Sequence, residues 1–218
     1  MSGWNKPNIK VFAFIQARQT STRFPNKIYQ EFNGVPLLYH TISRAKESKF
    51  IDDVIVCSPE KLPHLPEGTK SYVHWGDEND VLDRYAGCLV FNPCDYVVRL
   101  TSDCPLLDPN LIDFVIYQAI TASADYCSNV MKLTFPDGLD TEVIKSSFLK
   151  FLGGSVKSRY HREHVTSLIR DNKSLQEEFN CVSIENCEDL SNIKMSVDTK
   201  EDLENLRKWD NLRLSRYE

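Results

Sequence analysis

An apolar run of five residues, Val11-Phe-Ala-Phe-Ile15, stops abruptly and gives way to Gln16-Ala-Arg18-Gln-Thr20-Ser-Thr-Arg23-Phe-Pro-Asn-Lys27. The run has the length and composition of a strand buried on both faces of a parallel sheet. Three cations, Arg18, Arg23 and Lys27, follow within ten residues, interleaved with Thr20, Ser21 and Thr22. No acid interrupts them before Glu31. Open α/β sheets bind ligands at the carboxyl ends of their strands, and Arg, Lys and backbone N–H groups are the usual donors to phosphate oxygens. A cationic, hydroxyl-rich loop in that place predicts a polyphosphate ligand.

The pattern downstream supports such a sheet. Strands are expected at 9–15, 53–57, 71–75 and 96–100, alternating with helices at 36–49, 80–91 and 109–121, which argues for a parallel sheet with helices on its faces. In the helix at 36–49, Leu37, Leu38, Ile42 and Ala45 make one stripe. Three prolines between Ser58 and Gly68 predict an irregular loop. The second half is less regular: short strands at 125–127, 141–144, 180–185 and 194–197, and helices at 146–152, 161–171 and 200–211. The 218 residues make one domain, with a sub-lobe at about 128–165 that leaves the sheet and returns. A net charge of −5 argues against a broad nucleic-acid face and for a small anionic ligand at the basic loop. No apolar run reaches membrane-spanning length, and the first residues lack the apolar core of a signal peptide. Seven scattered cysteines without a C-x-x-C pair read as reduced, packed side chains of a cytoplasmic protein.

Two carboxylates stand at the same edge as the cationic loop. Asp103 follows the strand 96–100, and Asp198 ends the strand expected at 194–197. Phosphate beside a carboxylate needs a cation between them, and Mg²⁺ prefers one or two carboxylates plus phosphate oxygens. A turn role for Asp103 is the competing reading. Thr199 and Asp202 fit a capping box at the start of the last helix, which leaves Asp198 free as a second metal ligand. Asp137, Asp140 and Glu142 crowd around Gly138, more acids than a turn requires. Arg159-Tyr-His161-Arg162-Glu163-His164 opens a helix, with Arg162 and His164 as recognition candidates and Glu163 as their structural partner.

Taken in order, these residues resemble a known family. Ile15-Gln-Ala-Arg18-x-x-Ser21-Thr22-Arg23-x-Pro25-x-Lys27, then Gly34-Val-Pro36-Leu-Leu-x-His40, is similar to the cytidylyltransferases that make CMP-activated sugars. It looks most like the spore-coat polysaccharide (SpsF-like) branch, related to CMP-Kdo synthetase and acylneuraminate cytidylyltransferase. Trp75-Gly-Asp77-Glu-Asn-Asp80-Val-Leu-Asp83-Arg84-Tyr85, Arg99-Leu-Thr-Ser-Asp103-Cys-Pro105, Pro136-Asp-Gly-Leu-Asp140-x-Glu142, Arg162-Glu-His164 and Val197-Asp198-Thr-x-Glu-Asp202 match in the same order.

The resemblance implies a Rossmann-like three-layer α/β/α sandwich of the nucleotide-diphospho-sugar transferase type, with the sub-lobe serving acceptor binding or dimerisation. It implies a reaction of CTP with a small acceptor, releasing pyrophosphate, in a homodimer; the charge balance and the apolar runs above already argue against nucleic-acid and membrane partners. Arg18, Ser21, Arg23 and Lys27 would hold the triphosphate, with Gln16 and Ala17 beside the nucleotide. Trp75, Gly76 and Asp80 would help enclose cytosine and ribose. Asp103 and Asp198 would bind Mg²⁺, and catalysis would fall to Arg18, Arg23, Lys27 and Asp103. Asp137, Asp140, Glu142, Arg162 and His164 would face the acceptor. Asn26 departs from the pattern by replacing the glycine usual before the lysine, which predicts a stiffer loop. Another base, a phosphorylated or phosphonate acceptor, or a glycosyltransferase on a similar sheet remain alternatives.

Overall fold

Phe14 and its neighbours on either side along the chain point to opposite faces of a sheet, and both faces are covered. The computed structural model describes residue 6 and residues 8–214, with side chains through residue 208. In chain order the strands are β1 (Val11–Gln16), β2 (Glu31–Phe32), β3 (Val35–Pro36), β4 (Asp53–Ser58), β5 (Lys70–Val73), β6 (Tyr96–Thr101), β7 (Tyr126–Ser128), β8 (Glu142–Lys145) and β9 (Cys181–Ser183). The helices are α1 (Leu37–Lys46), α2 (Val81–Phe91), α3 (Pro109–Thr121), α4 (Ser146–Ser155), α5 (Arg159–Glu163), α6 (Ser167–Arg170), α7 (Lys173–Glu178) and α8 (Lys200–Leu214).

Seven strands form one sheet in the order β5-β4-β1-β6-β8-β7-β9. Ala13 and Ile15 face the layer of α1 and α3, where Leu38, Ile42, Val115 and Ile116 pack. Phe14 faces α2, α4 and α6, through Leu82, Tyr85, Leu149 and Ile169. The three-layer α/β/α sandwich is therefore present, and each fully buried aliphatic or aromatic side chain contributes roughly 1.5–3 kcal/mol. The predicted stripe on α1 is buried as expected. Asp80 and Asp108 cap α2 and α3, accepting from the backbone N–H of Asp83 at 2.9 Å and Asn110 at 2.8 Å.

The sheet is mixed rather than all parallel. β4, β1 and β6 run together, but β8 inserts antiparallel between β6 and β7. The alternation of elements hides this, because β7 bypasses the slot next to β6 and the chain turns back through residues 129–141 to fill it. Two further expectations are corrected. The helix at 161–171 is two short helices, because Val165 between them takes φ +50 and buries its side chain. No strand forms at 194–197; Lys194 makes an isolated bridge with Asp137 instead. There the backbone of Ile193 and Met195 pairs with the Asp137 turn, and Val197 N–H donates to the Asp103 carbonyl at 2.9 Å. One feature signalled in the sequence was not expected: Asn33-Gly34, both at positive φ, turns β2 into β3 as a tight hairpin.

Candidate active site

β1 and β6 lie side by side and end together at Gln16 and Thr101. Past their carboxyl ends the chain opens a cleft of about 260 Å³, lined by Gln16, Ala17, Arg18, Ser21, Arg23 and Lys27 on one wall and by Thr101, Ser102, Asp103 and Asp198 on another. The loop after β1 is fixed from beneath. Gln19 N–H donates to the Glu60 carboxylate at 2.7 Å, the Asn26 N–H returns to the Gln19 carbonyl at 3.1 Å, and Phe24 packs with Val197 and Leu206. Asn26 itself sits in the left-handed region, φ 53 and ψ 29. That conformation suits glycine and, among residues with a side chain, asparagine. The departure at this position thus keeps the backbone that a glycine would take.

Lys27 is the hub of the cleft. Its ammonium lies 3.0 Å from an Asp103 oxygen and 3.5 Å from an Asp198 oxygen. Arg23 reaches the same Asp198 at 3.4 Å. Burial alone would raise the Asp103 carboxyl, but the Lys27 ammonium and a hydrogen bond from Thr101 hold it below the ordinary carboxylate value. The capping box forms as the sequence predicts: Asp202 accepts from Thr199 N–H at 2.8 Å, and Thr199 Oγ1 accepts from Asp202 N–H at 3.2 Å. Asp198 is thereby left facing the cleft. On the third side Arg18 meets Glu78 at 3.1 Å, and the Thr20 hydroxyl also donates to Glu78.

The structure separates the remaining expected residues. His164 lines the cleft, and so does Glu163, which sequence reading had assigned a supporting role. Arg162 does the supporting instead: its Nε donates to Asp80 at 2.6 Å and its Nη1 to the Val156 carbonyl at 2.8 Å. Asp80 is accordingly held as a helix cap away from the cleft lining. Trp75 is 80% exposed, and neither it nor Gly76 lines the cleft. The part of that segment inside the cleft is Glu78, Val81 and Arg84.

The acids around Gly138 also lie outside the lining. Asp137 accepts from the Ser196 hydroxyl at 2.7 Å. Glu142 is buried and pairs with Arg99, while Tyr126 Oη donates to it at 2.5 Å and the Thr166 hydroxyl does so too. Burial would raise Glu142; Arg99, Arg170 and these hydroxyls outweigh it and hold the carboxyl low. Asp140, between Glu142 and Asp137, is pushed up to about 6, first by burial and then by those two carboxylates.

Arg84, Arg99 and Thr101 line the cleft and were not chosen from the sequence. A signal was present for two of them. Arg99 interrupts the apolar run of β6, and Arg84 lies among Val81, Leu82 and Tyr85; Arg is rarely buried without a partner. Arg99 Nη2 donates to Gln16 Oε1 at 3.0 Å, which leaves the Gln16 amide N–H groups for a ligand.

With this geometry in hand, the comparisons are specific. The cytidylyltransferase family model matches residues 12–218. The spore coat polysaccharide biosynthesis protein SpsF of Bacillus subtilis is 27% identical over 212 residues, covering 90% of this chain and 85% of that one. A cytidylyltransferase structure from Leptospira borgpetersenii superposes with a TM-score of 0.83 at 31% identity, over 92% of this chain and 86% of the other. A CMP-2-keto-3-deoxy-manno-octonic acid synthetase solved with CTP shares the fold, with a TM-score of 0.70 at 16% identity, over 94% of this chain and 99% of that one. The cationic loop at the strand ends, the paired aspartates and the match over nearly the whole length show that this chain belongs to the cytidylyltransferase family of CTP-dependent nucleotidyltransferases.

Proposed function

We propose that the cleft binds CTP with Mg²⁺ and transfers CMP to a sugar or similar small acceptor of surface polysaccharide synthesis. The observation that carries this reading is the convergence of Asp103 and Asp198 on the Lys27 ammonium, with Arg18 and Arg23 beside them. Two carboxylates directed at one cationic point fit a small divalent ion that completes its shell with phosphate oxygens and water. Asp103 and Asp198 would hold it, and when bound it supplies charge neutralisation at the phosphates.

The chain's own residues do the rest by position. An acceptor oxygen attacks the α-phosphorus; the bond to the oxygen bridging to the β-phosphorus breaks, and pyrophosphate leaves with the electron pair. Arg18, Arg23 and Lys27 take up the charge that grows on that leaving group. Gln16 presents donors at the end of β1, and His164 and Glu163, which also line the cleft, would meet the acceptor. The SpsF likeness supports an acceptor of polysaccharide synthesis. The seven free cysteines support a cytoplasmic enzyme, and exposed Val90 and Phe91 at the end of α2 support a homodimer.

The test is pyrophosphate release with Mg²⁺ and each of CTP, UTP, ATP and GTP, against acidic sugars, sugar phosphates and phosphonates. Acceptor-dependent release with CTP alone is expected. Release with another triphosphate in preference to CTP overturns the base assignment, and failure to bind CTP overturns the reading of the cleft.

A further inference from the structure

Arg84 is a buried charge that the fold leaves largely unpaired. Its side chain is 2% exposed, yet it lines the cleft. No carboxylate among the described residues pairs with it. Among the described residues one hydrogen bond holds it, from Nη2 to the Glu78 carbonyl at 2.6 Å, and its Nε is buried with no partner there. A guanidinium carries five N–H donors and no acceptor, so most of its capacity is unused. Taking a cation out of water without a counter-ion is among the most unfavourable arrangements in a folded protein. Burial accordingly pushes the Arg84 guanidinium below its ordinary value; the nearby Arg18 charge acts in the same direction, and the Glu78 carboxylate opposes it only in part.

Arg99 makes the contrast sharp. It lines the same cleft and is also largely buried, but Glu142 neutralises it and Gln16 takes a second hydrogen bond. Among the described residues no carboxylate pairs directly with Arg84, and the nearby Glu78 carboxylate is already held by Arg18, so an anionic ligand would complete its pairing. Its position says which one. Glu78 is held on both sides, its carboxylate by Arg18 at 3.1 Å and its carbonyl by Arg84. The two guanidiniums therefore flank one residue and present to the same part of the cleft, next to the cationic loop.

We propose that Arg84 is a further phosphate-binding cation of this cleft, taking an oxygen of the nucleoside triphosphate beside Arg18. This rests on the reading of the cleft as a triphosphate site. A planar fork suits a phosphate oxygen pair, and a preformed donor in a dry position loses little on binding. The anion would supply the counter-charge that the fold withholds.

Calorimetric titration of inorganic tripolyphosphate and of CTP into wild type, Arg84→Met, Arg84→Lys and Arg18→Met tests it. The expected result is a loss of about tenfold or more in affinity for both ligands in Arg84→Met, with Arg84→Lys weakened less. The melting temperature of ligand-free Arg84→Met should match or exceed wild type, because the variant removes an unpaired buried charge. If Arg18→Met weakens tripolyphosphate binding and Arg84→Met does not, the assignment of Arg84 falls while the triphosphate reading stands. If Arg84→Met weakens CTP alone, Arg84 does not take a phosphate. If wild type binds neither ligand, the triphosphate reading itself falls and takes this inference with it. Should Arg84→Met fail to fold, Arg84→Lys with wild-type affinity for both ligands would overturn the assignment.

Discussion

On the loop side of the cleft, Arg18, Arg23, Lys27, Asp103 and Asp198 keep part of their surface open; the last four pair with one another at 3.0 to 3.5 Å, and Arg18 pairs with Glu78 at 3.1 Å. Outside the lining, Glu142, Arg162 and Asp137 are engaged by close partners that the fold brings to them. Both regions are dense in charge, and the family resemblance gave both a ligand-facing role. The difference lies beneath them. The loop leaves a strand end and borders the open cleft, whereas Glu142 begins a strand that slots against Arg99 in the middle of the sheet. Charges over a strand end are available to a ligand; charges inside a register are consumed by the fold.

The sharpest way to break that comparison is Glu142→Ala. It should destabilise the protein by about 3–5 kcal/mol, because it leaves the Arg99 cation buried without its counter-ion. Denaturant unfolding of Glu142→Ala and of Glu142→Leu with Arg99→Met checks the cause: removing both charges should restore part of the loss. A melting curve unchanged by Glu142→Ala would mean that the carboxylate is not structural.

Asp103→Ala should do the reverse. We expect turnover, measured as CTP-dependent pyrophosphate release, to fall by about 10²–10³, or roughly 3–4 kcal/mol of barrier, as for other lost electrostatic stabilisers. Stability should change much less, since Lys27 keeps Asp198 at 3.5 Å. Near-wild-type turnover in Asp103→Ala would sink its place in the reaction and with it the functional meaning of the loop side.

Particular residues show why the sequence carried the first region better than the second. The run Val11–Gln16 and its cationic sequel are contiguous, so one segment contains strand, edge and ligand-facing charges together. The capping box of Thr199 and Asp202 is equally local, and it left Asp198 legible by elimination. Glu142 and Arg162 depend on contacts far along the chain. Glu142 finds Arg99 across 43 residues and Arg162 finds Asp80 across 82. Nothing within a few positions of Arg162 or Glu163 distinguishes the clamp from the lining residue. The break at Val165 is unreadable for another reason: a β-branched residue disfavours positive φ, so tertiary packing overrides its preference.

Asn26 sharpens the comparison from the loop side. Its left-handed backbone comes before Lys27, the cation that joins both aspartates. Asn26→Val should cost about 1–2 kcal/mol, because a β-branched side chain clashes in that conformation. Asn26→Gly should stay within a few tenths of a kcal/mol, since glycine accepts the same backbone but adds freedom to the unfolded chain. Thermal melting gives both numbers. A Val variant as stable as wild type would show that the loop does not need this turn.

Asp140 tests the other side through pH. Its carboxyl is pushed up to about 6 in the folded protein, first by burial and then by Glu142 and Asp137, which outweigh Arg99, against about 3.9 unfolded. A folded value above the unfolded one means that the folded state holds the proton more tightly. Stability from this group is complete below about pH 4 and is lost as pH rises through 6. At pH 7 the ionised Asp140 is thus a burden on the fold, bounded by about 3 kcal/mol for two units and reduced to about 1 kcal/mol because the side chain is partly solvated. Asp140→Asn should raise stability at pH 7 by about that amount and lose its advantage near pH 4. Paired unfolding curves at the two pH values decide it. An Asn variant less stable than wild type at pH 7 would mean that Asp140 has a counter-charge after all and that its cluster is not the self-opposing one described.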